Sequence, residues 1–296
     1  MRKIDRAKAF IRSHSGLLIC PICRDRLELQ EPARLTCSKR HSFDMARTGY
    51  VNLLRGSQGS QKYGRALFEA RQEVYQAGLY GPVIELLEEK LKAWIKAQGL
   101  SQLSILDMGC GEGSHLAQTA AALQGEAEVF PVGIDIAKEA IHLAAREYAG
   151  CLWCVGDLAD APFADKQFDV ILSIFSPSNY KEFARLLADP GLVVKVIPGP
   201  DYLREIRIGL YGDTEKEDYS NEDVVRLFEE QYEHVEKASL RCIQTIEPEH
   251  LPALLEMTPL TWGASPEDKE RLLQEGISQV TIDVAVLIGQ GSTLLV

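Results

Sequence analysis

Two chelating pairs, Cys20-x2-Cys23 and Cys37-x3-His41, stand thirteen residues apart and restrict the fold of this chain more than any other feature. Thiolates and imidazole at this spacing suit tetrahedral Zn2+, and four protein ligands leave no open position for chemistry. The site therefore reads as structural. Unrelated residues would rarely supply two such pairs within 22 positions. Residues 16–55 contain only short apolar runs, such as Gly49–Leu54, and a segment this small needs a staple to fold. The metal would supply it. His14 is a possible substitute ligand, but His41 has the better spacing.

The rest of the chain alternates strand and helix signals. Leu103–Asp107, Val129–Asp135, Leu152–Val155, Phe168–Ile174 and Leu192–Ile197 read as buried strands. Leu116–Leu123 and Ala137–Tyr148 read as helices between them. Repeated βα units predict an α/β fold with a parallel, doubly wound, Rossmann-like sheet. Val235–Ile246 and Val280–Ile288, around a helical stretch near Pro248–Met257, predict a closing antiparallel pair at a sheet edge. Ala66–Gln98 carries apolar residues at helical spacing, divided into two helices at Gly81-Pro82. Gly56–Gln61 has linker composition. The expected division is a zinc-binding module over 1–56, a linker and helices over 57–98, and a cofactor domain over 99–296.

The loop Asp107-Met108-Gly109-Cys110-Gly111-Glu112-Gly113 follows the first of these strands. Glycines let backbone approach a ligand, and the helix behind offers unpaired N–H groups. The G-x-G-x-G spacing is one residue shorter than the dinucleotide fingerprint. A carboxylate at the loop mouth would repel a pyrophosphate but suits a ligand with a cationic amino acid tail. Asp135 ends the second strand, where it can accept from ribose hydroxyls. Asp157 follows the third, placed to contact an adenine. Three acids after three consecutive strands, with the glycines, point to S-adenosylmethionine and a class I methyltransferase sheet. Cys151-x2-Cys154 imitates a zinc pair, but residues three apart on a strand face opposite sides. These two read as core cysteines, as do Cys110 and Cys242.

Charge separates along the chain. The net charge of −11 divides into +8 over residues 1–75 and −19 over the remainder. A basic segment holding the zinc ligands is the footprint expected of phosphate-backbone binding, although a merely solubilising surface would look the same. Seven cysteines, an odd number, do not form a disulfide scaffold. No run of about 18 apolar residues and no signal-type apolar stretch occurs, so a cytoplasmic protein without membrane spans is expected.

Cys20-Pro21-Ile22-Cys23, Cys37–His41, Phe43-Asp44-Met45-Ala46 and Gly49–Leu54 together resemble the N-terminus of the RlmA family, bacterial methyltransferases of guanine N1 in 23S rRNA. The resemblance continues through Ala77–Tyr80, Asp107–Gly113, Pro198-Gly199-Pro200 and Met257–Trp262. Ile174–Tyr180 resembles the Gram-positive branch, which is similar to a tylosin-resistance methyltransferase, and antibiotic resistance is a role that this resemblance alone suggests. The resemblance implies zinc on Cys20, Cys23, Cys37 and His41, and cofactor contacts at Tyr80, Gly111, Glu112 and Tyr202. It also implies a homodimer whose zinc modules flank an RNA cleft.

Guanine N1 carries a proton on the Watson–Crick edge, so the base must be unpaired or flipped out to react. Ser176, Ser178 and Asn179 follow the fourth strand, where they could read that edge, with Phe175 or Tyr180 stacking. The same residues would also make an ordinary turn shaped by Pro177. No carboxylate stands out as the proton acceptor. The competing readings are a small-molecule methyltransferase with a purely structural zinc module and a noncatalytic RNA-binding protein. The basic segment disfavours the first, and the intact set of acids and glycines disfavours the second.

Overall fold

A computed structural model describes residues 1–56, 64–212 and 220–292. Apart from Gly56, the expected linker lies outside the described residues. Helix α1 (Lys3–Ser13) leads into a small antiparallel sheet of β1 (Glu28–Gln30), β2 (Arg34–Thr36) and β3 (Ser42–Asp44). Then come β4 (Val51–Asn52), α2 (Arg65–Gln76) and α3 (Gly81–Gln98). Gly81-Pro82 opens α3, and Gly99 ends it in the left-handed region at φ 64°.

The alternating part comprises β5 (Gln102–Met108), α4 (Ser114–Ala122), β6 (Glu128–Asp135), α5 (Lys138–Glu147), β7 (Leu152–Val155), β8 (Phe168–Ile174), α6 (Tyr180–Leu186) and β9 (Leu187–Pro198). The tail adds α7 (Arg204–Tyr211), α8 (Glu222–Glu229), β10 (Tyr232–Thr245), α9 (Leu251–Met257), α10 (Pro266–Glu275) and β11 (Gln279–Ser292). Eight strands form one sheet in the order β10-β11-β9-β8-β5-β6-β7-β4. The strands from β4 to β9 pair in parallel, while β11 runs antiparallel to β9 and β10 antiparallel to β11. The sheet grows outward from β5 in both directions. The carboxyl end of β5 is therefore the switch point where ligands bind in open α/β sheets.

Both faces of the sheet are covered, as parallel pairing requires. Leu103 and Ile105 of β5 enter a core with α3, α4, α5 and α9, and Leu106 and Met108 enter a second core with α1, α6 and α8. Cys151 falls in the first core and Cys154 in the second, as their spacing predicts. Burial pushes both thiols up to about 12. No helix among the described residues is long and apolar enough to cross a membrane.

The N-terminal segment is less separate than expected. β4 joins the main sheet, with Val51 opposite Cys154 and Asn52 opposite Val155. Leu18 bridges to Phe163, and Leu17, Leu27 and Leu35 share the second core with Leu152 and Phe168. A division at residue 56 thus cuts through one continuous apolar core. The physical reason is size: so short a segment gains more by burying its apolar side chains against a ready-made sheet than by relying on metal alone.

Phe163 is fully buried at this junction, its ring edge-on to Phe168 at 5.3 Å. Phe163→Ala should cost about 3–5 kcal/mol. In urea, followed by far-ultraviolet dichroism and zinc release, the metal-loaded protein should unfold in one transition that the variant moves to lower urea. Zinc release in a separate, unshifted step would show that the segment folds independently.

Candidate cofactor pocket and zinc centre

The four expected metal ligands converge from two turns. Cys20 and Cys23 sit on the turn before β1, where Arg24 takes φ 64°. Cys37 and His41 sit on the turn between β2 and β3, where Arg40 takes φ 63°. The Cys20 and Cys37 sulfurs each lie 3.4 Å from His41 Nδ1, and the Cys23 and Cys37 sulfurs are 3.6 Å apart. These separations match the edges of a tetrahedron around an ion with Zn–S of about 2.3 Å and Zn–N of about 2.0 Å. His14 is elsewhere, stacked on Phe10 and edge-on to Phe130. Lys39 is exposed beside the ligands, with a loose ion pair of 4.0 Å to Asp25.

The glycine loop follows β5. Gly109, Gly111 and Gly113 all take positive φ, at 87°, 55° and 86°. A Cβ on Gly109 would meet Ser176 Cβ at 2.7 Å, and one on Gly113 would collide with the Trp153 ring. The Asp135 carboxylate clamps the loop, accepting from Gly111 N at 2.9 Å and Ala137 N at 2.8 Å. Burial raises its pKa, and those two amides oppose the rise.

Asp107 is 1% exposed, and neither carboxylate oxygen has a hydrogen-bond partner among the described residues. Burial first, then the charges of Asp135 and Glu112, push its pKa well above the ordinary carboxylate range. An uncompensated buried carboxylate is costly, so this group fits a cationic ligand. Glu112, equally buried, is raised by burial and lowered in turn by the Arg71 guanidinium. Burial disfavours the Arg71 charge, but Glu112 and then the surrounding tyrosines hold its pKa above the usual value.

A cavity of about 660 Å³ opens beside the loop. Gly109 and Cys110 line one side, Ser176–Ser178 and Lys195 another, and Arg71, Tyr202 and Met257 complete the wall. Tyr80 is wholly buried, and its hydroxyl bonds that of Tyr202, which lines the cavity. Phe175 is held in the left-handed region at φ 51° with its ring between Tyr80 and Tyr202, 6.1 and 5.5 Å away. Strain of this kind persists where surrounding packing over-determines it.

The turn after β8 has several structural duties. Ser176 Oγ donates to Met108 O at 2.7 Å, which ties the turn to β5. Asn179 Oδ1 accepts from Glu182 N and so caps α6, as the ordinary-turn alternative anticipated. Ser178 Oγ is turned to a cavity-lining partner, the Lys195 amine, at 2.7 Å. Asp157 is exposed and closes a tight turn by accepting from Ala159 N.

Sequence reading missed Arg71 and Lys195. Nothing in the sequence marks Arg71, because its role arises from α2 packing across the glycine loop. Lys195 had a signal: it interrupts the apolar strand Leu192–Ile197, where both faces are buried.

A family model described as "RlmA, N-terminal" matches residues 18–58, and one described as "Methyltransferase domain" matches residues 105–191. YxjB of Bacillus subtilis (strain 168), provisionally named a 23S rRNA (guanine-N(1)-)-methyltransferase, is 40% identical over 273 residues, covering 91% of this chain and 95% of that protein. The 23S rRNA (guanine(748)-N(1))-methyltransferase of Streptomyces fradiae is 28% identical, covering 92% and 95%. A fatty-acid O-methyltransferase of Mycolicibacterium smegmatis (strain ATCC 700084 / mc(2)155) is 32% identical, covering only 33% of this chain and 35% of its own.

The purified protein should carry one tightly held zinc per chain. Cys37→Ala should release it and, because the turn shares the second core, lower the melting temperature as well. Elemental analysis beside a thermal scan checks both, and full zinc occupancy in the variant would remove Cys37 from the ligand set.

Proposed function

This chain belongs to the family of 23S rRNA (guanine-N1)-methyltransferases, and from that premise we propose that it transfers the methyl group of S-adenosylmethionine to N1 of a guanine in 23S rRNA. The observation that carries the reading is the conjunction, in one chain similar over nine-tenths of its length to such an enzyme, of the zinc ribbon and a cavity beside the glycine loop at the switch point. S-adenosylmethionine, when bound, supplies an electrophilic methyl on a sulfonium centre.

The chain's own residues suit that ligand. Asp107 offers an unpartnered carboxylate to the α-ammonium, and Arg71 a cavity-lining guanidinium to the α-carboxylate. Asp135 keeps lone pairs for ribose hydroxyls beyond the two amides it accepts from, and Asp157, on the exposed turn after β7, would contact the adenine. Tyr80 acts through Tyr202, and Glu112 through Arg71. Gly109, Gly111 and Gly113 bring backbone close. Ser176, Ser178 and Asn179 shape the mouth where a flipped or unpaired guanine would enter, with Phe175 or Tyr180 as its stacking face. The basic zinc segment would grip RNA phosphates, and two copies of the chain would flank the RNA. The small-molecule alternative is disfavoured because the fatty-acid enzyme matches only a third of this chain.

Asp107 must be ionised to hold an ammonium. S-adenosylmethionine affinity should therefore rise with pH through the raised pKa of Asp107, with proton release on binding. Asp107→Asn should weaken binding and abolish that release, and Asp135→Ala should weaken binding too. Calorimetry in buffers of different ionisation heats checks this; unaltered affinity and proton release in Asp107→Asn would reject the assignment.

Lys39→Glu/Arg40→Glu should weaken 23S rRNA binding and flatten its salt dependence, while cofactor affinity stays unchanged. Filter binding against salt, beside the calorimetry, separates this from a folding defect. Unchanged RNA affinity in the folded variant would take these residues off the RNA surface. Primer extension on rRNA from a strain lacking the protein tests the reaction itself, since an N1-methyl group blocks copying and its stop should vanish.

A further inference from the structure

Lys195 is only 4% exposed. It stands on β9 between Val193 and Ile197, which face the same side and are both buried. In the sheet it lies opposite Ser173 of β8 and Leu287 of β11. Its amine is 2.7 Å from Ser178 Oγ, 3.1 Å from Ser176 O and 3.4 Å from Ser173 Oγ. No carboxylate among the described residues pairs with it. The titratable groups lining the same cavity are Arg71 and Tyr75 from α2, Cys110 from the glycine loop, His115 from α4, Tyr180 from α6, Tyr202 beyond β9, and Asp223 from α8. On β11 the nearest acid is Asp283, whose carboxylate accepts from Asp201 N at 2.8 Å.

A lysine held this way serves stability poorly. Methionine would fill the same space without a buried charge, and the serine partners would need no cation. Burial lowers the pKa of Lys195 to about 8, so a free amine is within reach near neutral pH. This matters for guanine N1, which must shed a proton before its electron pair can attack. The other buried base in the cavity, His115, is depressed to about 3 by burial and by Arg71, which leaves it too weak an acceptor. Asp223 is exposed at the rim, and Asp107 lies beneath the glycine loop.

We propose that Lys195, as the free amine, accepts the N1 proton of the target guanine through the hydroxyl of Ser178. The assignment rests on the functional reading above. The guanine N1–H bond breaks and its proton passes to Ser178 Oγ, while the Ser178 proton forms a bond to Lys195 Nζ. The N1 electron pair forms the bond to the methyl carbon as the carbon–sulfur bond breaks. The positive charge that began on sulfur ends on the lysine ammonium, which later releases its proton to solvent. Ser178 touches the base, and Lys195 acts through it as the terminal acceptor.

The test uses the full-length zinc-loaded protein, an unmodified 23S rRNA transcript and S-adenosylmethionine. Single-turnover methylation by the wild type should rise with pH and level off above an inflection near pH 8. Lys195→Met and Lys195→Arg should both lose roughly 10²–10⁴-fold in rate, the contribution of a positioned general base. Both should lose the inflection while binding S-adenosylmethionine like the wild type by calorimetry, which shows that they fold. Arginine keeps the charge but cannot take a proton, so near-normal activity in Lys195→Arg would mean an electrostatic role and overturn the proposal. Ser178→Ala should lose rate in the same direction with a weaker inflection. Independently of activity, 13C NMR of protein labelled at the lysine ε-carbons should show a resonance, missing in Lys195→Met, that titrates near pH 8. Titration above about 10, the ordinary lysine range, would overturn it. If the wild type makes no N1-methylguanine, the functional reading fails and this assignment with it. If it does and Lys195→Met keeps rate and inflection, the assignment alone fails.

Discussion

Everything at the candidate site depends on how closely the glycine loop lies against its neighbours. Between the loop and the Trp153 ring, and between the loop and the Ser176 turn, there is room for hydrogen but not for a methyl group. That closeness brings the ends of β5, β6 and β8 together. It lets one carboxylate, Asp135, hold the loop from the next strand through two amides. It also lets Ser176 reach the carbonyl of Met108, which fixes the turn that faces the cavity. A side chain at Gly113 would push the loop off Trp153 and disturb the bond from Gly111 N to Asp135.

The polar groups beneath and beside the loop are arranged at a cost. Among the described residues Asp107 has no partner and Lys195 only neutral ones, while Glu112 leans on Arg71 electrostatically. In a purely structural core such groups would be satisfied in pairs or replaced by apolar ones. Charged groups buried on and beneath one loop, without full compensation, are what a site tuned for a charged ligand requires, because a low-polarity surround makes each interaction stronger when the ligand arrives. The apolar sheet on both faces offsets that cost and keeps the groups from relaxing.

The zinc centre and the sheet solve different parts of one problem. Metal ligation closes two turns that carry few apolar residues, and β4 with Leu17, Leu18, Leu27 and Leu35 fastens the whole segment to the edge and face of the main sheet. The basic residues near the metal, Lys39 and Arg40, are thereby held on a surface fixed relative to the cavity rather than on a tethered bead.

The sequence by itself determined the local features. Ligand spacing identified the zinc quartet, because chelation by two short turns needs only neighbouring residues. Period and composition located β7 and β8 to the residue and the antiparallel close of the sheet, since buried strands are uniformly apolar. The acids at the carboxyl ends of β5 and β6 and after β7, and the glycines between the first two, were legible for the same reason. Tertiary structure decided what depends on approach between distant segments. It placed β4 in the main sheet, so the N-terminal segment lost its apparent independence. It spent Asn179 on a helix cap and Ser176 on a strand carbonyl, which spacing could not distinguish from substrate contact. It brought Arg71 from α2 across the loop, where its charge acts on Glu112, a relation with no trace in local pattern. And it turned Lys195, which the sequence shows only as a break in an apolar strand, into a buried amine facing Ser178, because a group's solvation is set by neighbours that sequence order does not name.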